Sequence, residues 1–149
     1  MSTMRYRTLG ASGIQVSELC LGTMLFGGAT PEAEARRIVD HAVAGGVNFI
    51  DTANAYVEGR SEEVVGGALA GKRDKVILAT KVSNPVGPGP NDKGLSRVHV
   101  LAEVDKSLRR LKTDYIDLYQ QHRYDPLTPI EETLRALQDL VTQGKVRYI

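Results

Sequence analysis

Val76-Ile77-Leu78-Ala79-Thr80-Lys81 is an apolar run that closes on a lysine. A strand without polar alternation suits a parallel sheet covered on both faces, where neither side meets water. The same kind of run recurs on either side of it. Upstream, Val47 to Asp51 ends on a carboxylate, and Ser61 opens a helix carrying Val64, Val65, Ala68 and Leu69 that closes near Gly71. Downstream, Val82 to Gly94 holds three prolines and three glycines and must be a long loop, of a length that in a compact domain is usually functional or disordered. From Ser96, the residues Val98, Leu101, Val104, Leu108 and Leu111 recur at three- and four-residue steps and predict a helix. Tyr115 to His122 is the next strand.

Outward again, Thr128-Pro129-Ile130-Glu131 reads as a capping box before a helix through Leu134, Leu137 and Leu140, stopped at Gly144; Lys145 to Ile149 begins a further strand. Towards the N-terminus, Thr30-Pro31 opens a helix through Ile38, Val39, Ala42 and Val43, ended by Gly45-Gly46. Leu19 to Leu21 is a short strand ending at Gly22. Residues 5–9 and 14–17 form a hairpin around Gly10-Ala11-Ser12-Gly13.

Strict alternation of strand and helix implies parallel strands with right-handed crossovers. An open doubly wound sheet and a closed barrel both satisfy it. The open sheet, if it bound a dinucleotide, would carry a glycine fingerprint after its first strand, and none is present. Asp51, Lys81 and His122 instead fall at the C-terminal ends of three successive strands, where barrel enzymes place their chemistry. The expected fold is therefore α/β: the N-terminal half of a TIM (β/α)8 barrel, with a hairpin, about five parallel strands and four helices. Residues 1–149 are expected to be part of a single barrel domain, incomplete at Ile149.

The strand tips suggest a chemistry. A free phenol has a pKa near ~10 and gives up its proton reluctantly at neutral pH. A neighbouring ammonium stabilises the phenolate, so Tyr56 as an acid calls for Lys81. A partly buried lysine keeps its charge when a carboxylate faces it, and Asp51 is suited to that. His122 could donate a hydrogen bond to a substrate oxygen and orient a carbonyl beside Tyr56. No side chain supplies a hydride, so a reduction requires a nicotinamide cofactor. Taken singly, each residue has an ordinary structural explanation; the case rests on their convergence.

Other classes have less support. The 19 Lys and Arg against 18 Asp and Glu argue against a nucleic-acid binder. Apolar runs are too short for a transmembrane helix, and no signal peptide is recognised. His41, His99 and His122 lack zinc-ligand spacing, so no metal site is expected. No nucleophile elbow or phosphate loop occurs. The single Cys20 is expected to be a small buried apolar residue in a cytoplasmic protein.

Several stretches, in order, carry a family resemblance: Arg7-Thr8-Leu9-Gly10, Leu21-Gly22-Thr23-Met24, Asn48-Phe49-Ile50-Asp51-Thr52-Ala53, Tyr56, Gly59-Arg60-Ser61-Glu62-Glu63, Ala79-Thr80-Lys81, Tyr115 to Arg123, and Gly144 to Ile149. Through them the chain resembles the aldo-keto reductases, and within these the bacterial and fungal aryl-alcohol dehydrogenase-like members. The resemblance implies a barrel whose N-terminal end is capped by the hairpin, and an oxidoreductase that reduces aldehydes or ketones with NADPH, leaving NADH open. It implies that Tyr56 is the proton donor, that Lys81 and Asp51 tune it, and that His122 orients the carbonyl. Gly22, Thr23, Met24 and Asp51 would lie against the nicotinamide end of the cofactor. Potassium-channel beta subunits share the architecture, with the matching histidine replaced. Val57-Glu58 departs from the glycine that many relatives carry after the tyrosine.

Length is the larger departure, since a complete barrel takes about 250 residues. The leading expectation is a fragment of a longer enzyme, inactive or nearly so by itself. The alternatives are a half-barrel that assembles with another chain through its exposed sheet edges, and a catalytically silent interaction protein.

Overall fold

The computed structural model describes residues 4–149. β1 (Tyr6–Thr8) and β2 (Gln15–Ser17) pair antiparallel as a separate hairpin. Five strands follow in one parallel sheet: β3 (Leu21–Gly22), β4 (Phe49–Asp51), β5 (Ile77–Val82), β6 (Ile116–Gln121) and β7 (Val146–Tyr148). The crossovers contain α1 (Glu32–Ala44), α2 (Arg60–Ala68), α3 (Arg97–Leu111) and α4 (Ile130–Thr142). Spatial order equals chain order, β3-β4-β5-β6-β7. A doubly wound sheet reverses its order at a switch point; this one does not, so its helices lie on one side as in a barrel. The sheet is the N-terminal half of such a barrel and is not closed.

Alternation along the strands divides the two faces. Ile50, Leu78, Val82 and Tyr119 are buried in one cluster with Val39 of α1, Val65 of α2, Val104 of α3 and Leu137 of α4. The opposite, concave face presents Asp51, Lys81, Leu118 and Gln120, all half-buried. Between sheet and helices lies one charged exception. Glu62 of α2 is fully buried, accepting hydrogen bonds from the Thr80 hydroxyl and the Arg110 Nε, each at 2.6 Å. A carboxylate so deep must be paired, and this pairing ties α2 and α3 to β5.

The helix starts differ from expectation in three places. Thr30 does not cap α1: its amide and carbonyl close a tight loop onto Leu25 and Gly27, and Pro31 precedes the helix with Glu32 and Glu34 in the first turn. Thr128 forms no capping box. Its hydroxyl donates to Asp125, which also accepts from the amides of Leu95 and Leu127, holding its carboxyl below the ordinary range. Ser61 lies inside the first turn of α2 and is buried, with its hydroxyl committed elsewhere. Cys20, expected to be buried, is exposed beside the open concave face. Desolvation around its sulfur and the charge of Asp51 still push the thiol up to about 11, with Lys81 partly opposing.

Candidate active site

Asp51 is the last residue of β4, Lys81 lies near the end of β5, and His122 directly follows β6. Parallel register aligns Asp51 with Ala79, and Lys81 with Gln120. Side chains two residues apart on a strand share a face, so Asp51, Lys81 and Gln120 all point into the concavity. Tyr56 reaches it from the turn after β4. That turn runs through Val57 and Glu58, with φ of 48° and 54°, and Gly59 at 90°. Left-handed backbone is costly for a β-branched residue, on the order of 1–3 kcal/mol. The departure from glycine noted in the sequence therefore falls where the backbone is strained, immediately after the phenol.

The Lys81 ammonium has three protons and three acceptors. It donates to Asp51 Oδ2 at 2.5 Å, to the Thr52 carbonyl at 2.9 Å and to the Tyr56 hydroxyl oxygen at 3.2 Å. Because the phenol oxygen accepts from the ammonium, its own O–H is free to donate elsewhere. His122 stands edge-on to the Tyr56 ring, 5.6 Å between centroids at 85°. Burial, then the cations Lys81 and Arg123, lower the pKa of His122, with Asp51 opposing. The shift favours the uncharged imidazole, which has a single N–H to offer.

The structure thus brings together all four residues expected at the strand tips. It also shows supports that sequence reasoning missed. Gln120 Nε2 donates to Asp51 Oδ1 at 2.9 Å, so both carboxylate oxygens are engaged. Asn84 places its side-chain amide 3.1 Å from His122 Nδ1. Ser61 donates to the Thr23 carbonyl at 2.7 Å, and the Thr52 hydroxyl lies 2.9 Å from the same serine oxygen. Since the Ser61 proton is committed to Thr23, the Thr52 hydroxyl is the donor, and α2 thereby holds the tips of β3 and β4. Gln120 carried a usable signal, being two residues before His122 and hence on its face of the strand.

Of the residues expected beside a nicotinamide, Gly22 is exposed, pairs in register with Asp51, and has open space where a Cβ would stand. Met24 is exposed. Thr23 is buried, its amide and hydroxyl both donating to the Asp51 carbonyl at 3.0 Å and its carbonyl accepting from Ser61 and Phe26, so it fixes the turn after β3 rather than presenting a free polar group. A cavity of about 400 Å³ lies between 83–96 and 123–128, and its lining includes Asn84, the partner of His122. Among the described residues no cluster of His, Cys, Asp or Glu could hold a metal ion, and no helix is long and apolar enough to cross a membrane.

Comparison with known proteins agrees with the fold. The family model described as "Aldo/keto reductase family" matches residues 18–149. The chain is 45% identical to the uncharacterized oxidoreductase YrpG of Bacillus subtilis, over 98% of this chain and 48% of that protein. It is 43% identical to a probable voltage-gated potassium channel subunit beta of Arabidopsis thaliana, over 97% of this chain and 45% of that one. Among solved structures, the holo form of aldo-keto reductase AKR11C1 from Bacillus halodurans superposes with a TM-score of 0.89 at 44% identity, covering 97% of this chain and 49% of that one. The chain spans about half the length of the relatives it matches.

Proposed function

The chain belongs to the aldo/keto reductase family, and from that premise we propose that it carries the proton-donating side of a site that reduces aldehydes or ketones to alcohols with NADPH, Tyr56 being the general acid. The observation that carries this reading is the Lys81 ammonium, bonded at once to Asp51 and to the Tyr56 oxygen. Loss of the phenol proton to a carbonyl oxygen leaves a phenolate, and a cation already in contact stabilises it as it forms. Asp51 pairs with that cation, and Gln120 keeps Asp51 in place. His122 donates to the same substrate oxygen and holds the carbonyl in line with the phenol.

The bare surface at Gly22 and the exposed Met24, next to Asp51 in register, suit the flat ring of a nicotinamide. Gly22, Met24 and Asp51 would hold it, on a turn that Thr23 fixes from behind. The nicotinamide supplies the hydride when bound; this chain's own residues supply the proton and orient the acceptor. NADPH is favoured over NADH by the family resemblance alone.

The test is carbonyl reduction by two proteins, the chain itself and the chain joined to the second barrel half of the Bacillus halodurans neighbour, each with NADPH and with NADH. The joined protein is expected to oxidise NADPH in step with alcohol formation from an aromatic aldehyde, and the chain alone to show little or no turnover. A joined protein that binds NADPH but reduces no carbonyl would contradict the proposal. It would favour instead an interaction module, the reading suggested by the likeness to a channel subunit.

A further inference from the structure

We infer that Asn84 is a positioning residue that selects the tautomer of His122, placing the ring's single proton on Nε2. The inference rests on the reading of His122 as the group that orients the carbonyl, and adds the device that makes it a donor.

Hydrogen-bond accounting fixes the amide orientation. With Nδ2 towards the ring, Asn84 donates to Nδ1 at 3.1 Å, and its buried Oδ1 is left without a partner. Turned round, it would put an NH2, with two protons to satisfy, at the buried position where the oxygen has no partner. An under-satisfied carbonyl is tolerated more readily than an orphaned N–H. Nδ1 must then present a lone pair, and a neutral ring carries its proton on the opposite nitrogen. Nε2–H can donate to a carbonyl oxygen; the other tautomer would offer that oxygen a lone pair and repel it.

The placement of Asn84 is built into the backbone. Ser83, buried, has a φ of 133°, a region that side-chain-bearing residues avoid. The strained residue is pinned on both sides. His122 donates its amide to the Val82 carbonyl at 2.8 Å, and Gly94 donates to the Ser83 carbonyl at 2.8 Å. The strain turns the chain so that Asn84 leaves β5 directly beside the ring. The groups that bear on the ring's charge are Lys81 on β5, Asp51 on β4 and Arg123 beside it, with the Tyr56 ring edge-on. Burial first, then Lys81 and Arg123, favour the uncharged ring over the opposing Asp51, and the uncharged ring is the state in which a tautomer choice matters.

The experiment is 15N NMR of the whole chain with ring-labelled histidine, in the absence of cofactor and substrate, the His122 signals being identified by their loss in His122→Gln. Above neutral pH the native chain is expected to show His122 as the Nε2–H tautomer. Asn84→Ala should give a mixture. Asn84→Asp, which can only accept, should move the proton to Nδ1 and raise the ring's titration midpoint by about one unit. A native ring protonated on Nδ1 or showing no preference, or an Asn84→Asp ring with the native tautomer, would overturn the inference. The native spectrum is decisive whether or not the variants fold. Because neither cofactor nor carbonyl is present, failure of the tautomer assignment is distinct from failure of the reductase reading.

Discussion

Gln120 on β6 donates to Asp51 on β4 at 2.9 Å, across the intervening β5 and above Lys81. Asp51 therefore cannot turn away from Lys81 without losing a second hydrogen bond. A hydrogen bond to a charged group contributes about 1.5–3 kcal/mol. In a catalytically complete protein, Gln120→Leu is expected to lower kcat by about tenfold or more with KM little changed, and Gln120→Glu, which sets a second carboxylate against the first, to lower it further. Steady-state kinetics of the joined protein would check this; a Gln120→Leu protein with native kcat would show that Asp51 needs no such support.

Two adjacent glycines in α2 should respond oppositely to alanine. A Cβ on Gly66 would stand 2.6 Å from the backbone carbonyl of Leu111, where α2 meets α3, and neither backbone can easily give. A Cβ on Gly67 would meet only the end of the Arg36 side chain. Alanine favours a helix by about 0.8–1.0 kcal/mol over glycine, but overpacking costs about 1–3 kcal/mol. Urea denaturation should show Gly66→Ala destabilised and Gly67→Ala unchanged or stabilised. Equal shifts would mean that the two helices have room to part.

Stability should fall in acid, starting in the histidine range. His99 on α3 is buried, its Nε2 has no partner, and burial lowers its pKa. A group held below its unfolded value contributes fully above that value, about 6.5 for histidine, and its contribution is lost as pH falls. His122 acts in the same direction. Glu103 follows at lower pH: burial pushes its carboxyl up, but hydrogen bonds from Lys106 and Asn54 outweigh that and hold it low. The urea midpoint should decline from about pH 7 to about pH 5, less steeply in His99→Gln and least in the double variant with His122→Gln. Parallel curves for all three proteins would place the acid sensitivity elsewhere.

The strands and the residues at their tips were legible in the sequence because short apolar-rich runs alternate with helical patterns, and the polar residue that closes each run marks the sheet's C-terminal edge. Asp51, Lys81 and His122 could be found that way. Cap residues were less legible because Thr30, Ser61 and Thr128 have hydroxyls or backbone groups equally able to serve a neighbouring loop. Other contacts engaged them first: a tertiary one with Thr23 for Ser61, and local ones with Asp125 for Thr128 and with Leu25 and Gly27 for Thr30. Gln120 and Asn84 were missed because an amide has no preferred chemistry in a sequence; its role appears only when its partner's position is known. Cys20 was misjudged because the short run Leu19-Cys20-Leu21 gives no indication of which face stays open.

The most direct test of the account is kcat for carbonyl reduction by Tyr56→Phe in the joined protein, with NADPH binding measured alongside. Removing only the phenol oxygen should leave NADPH affinity unchanged and lower kcat by about 10²–10⁴-fold, the range expected for loss of a general acid. A Tyr56→Phe protein that binds NADPH and turns over within a few-fold of the native rate would show that the proton comes from another group.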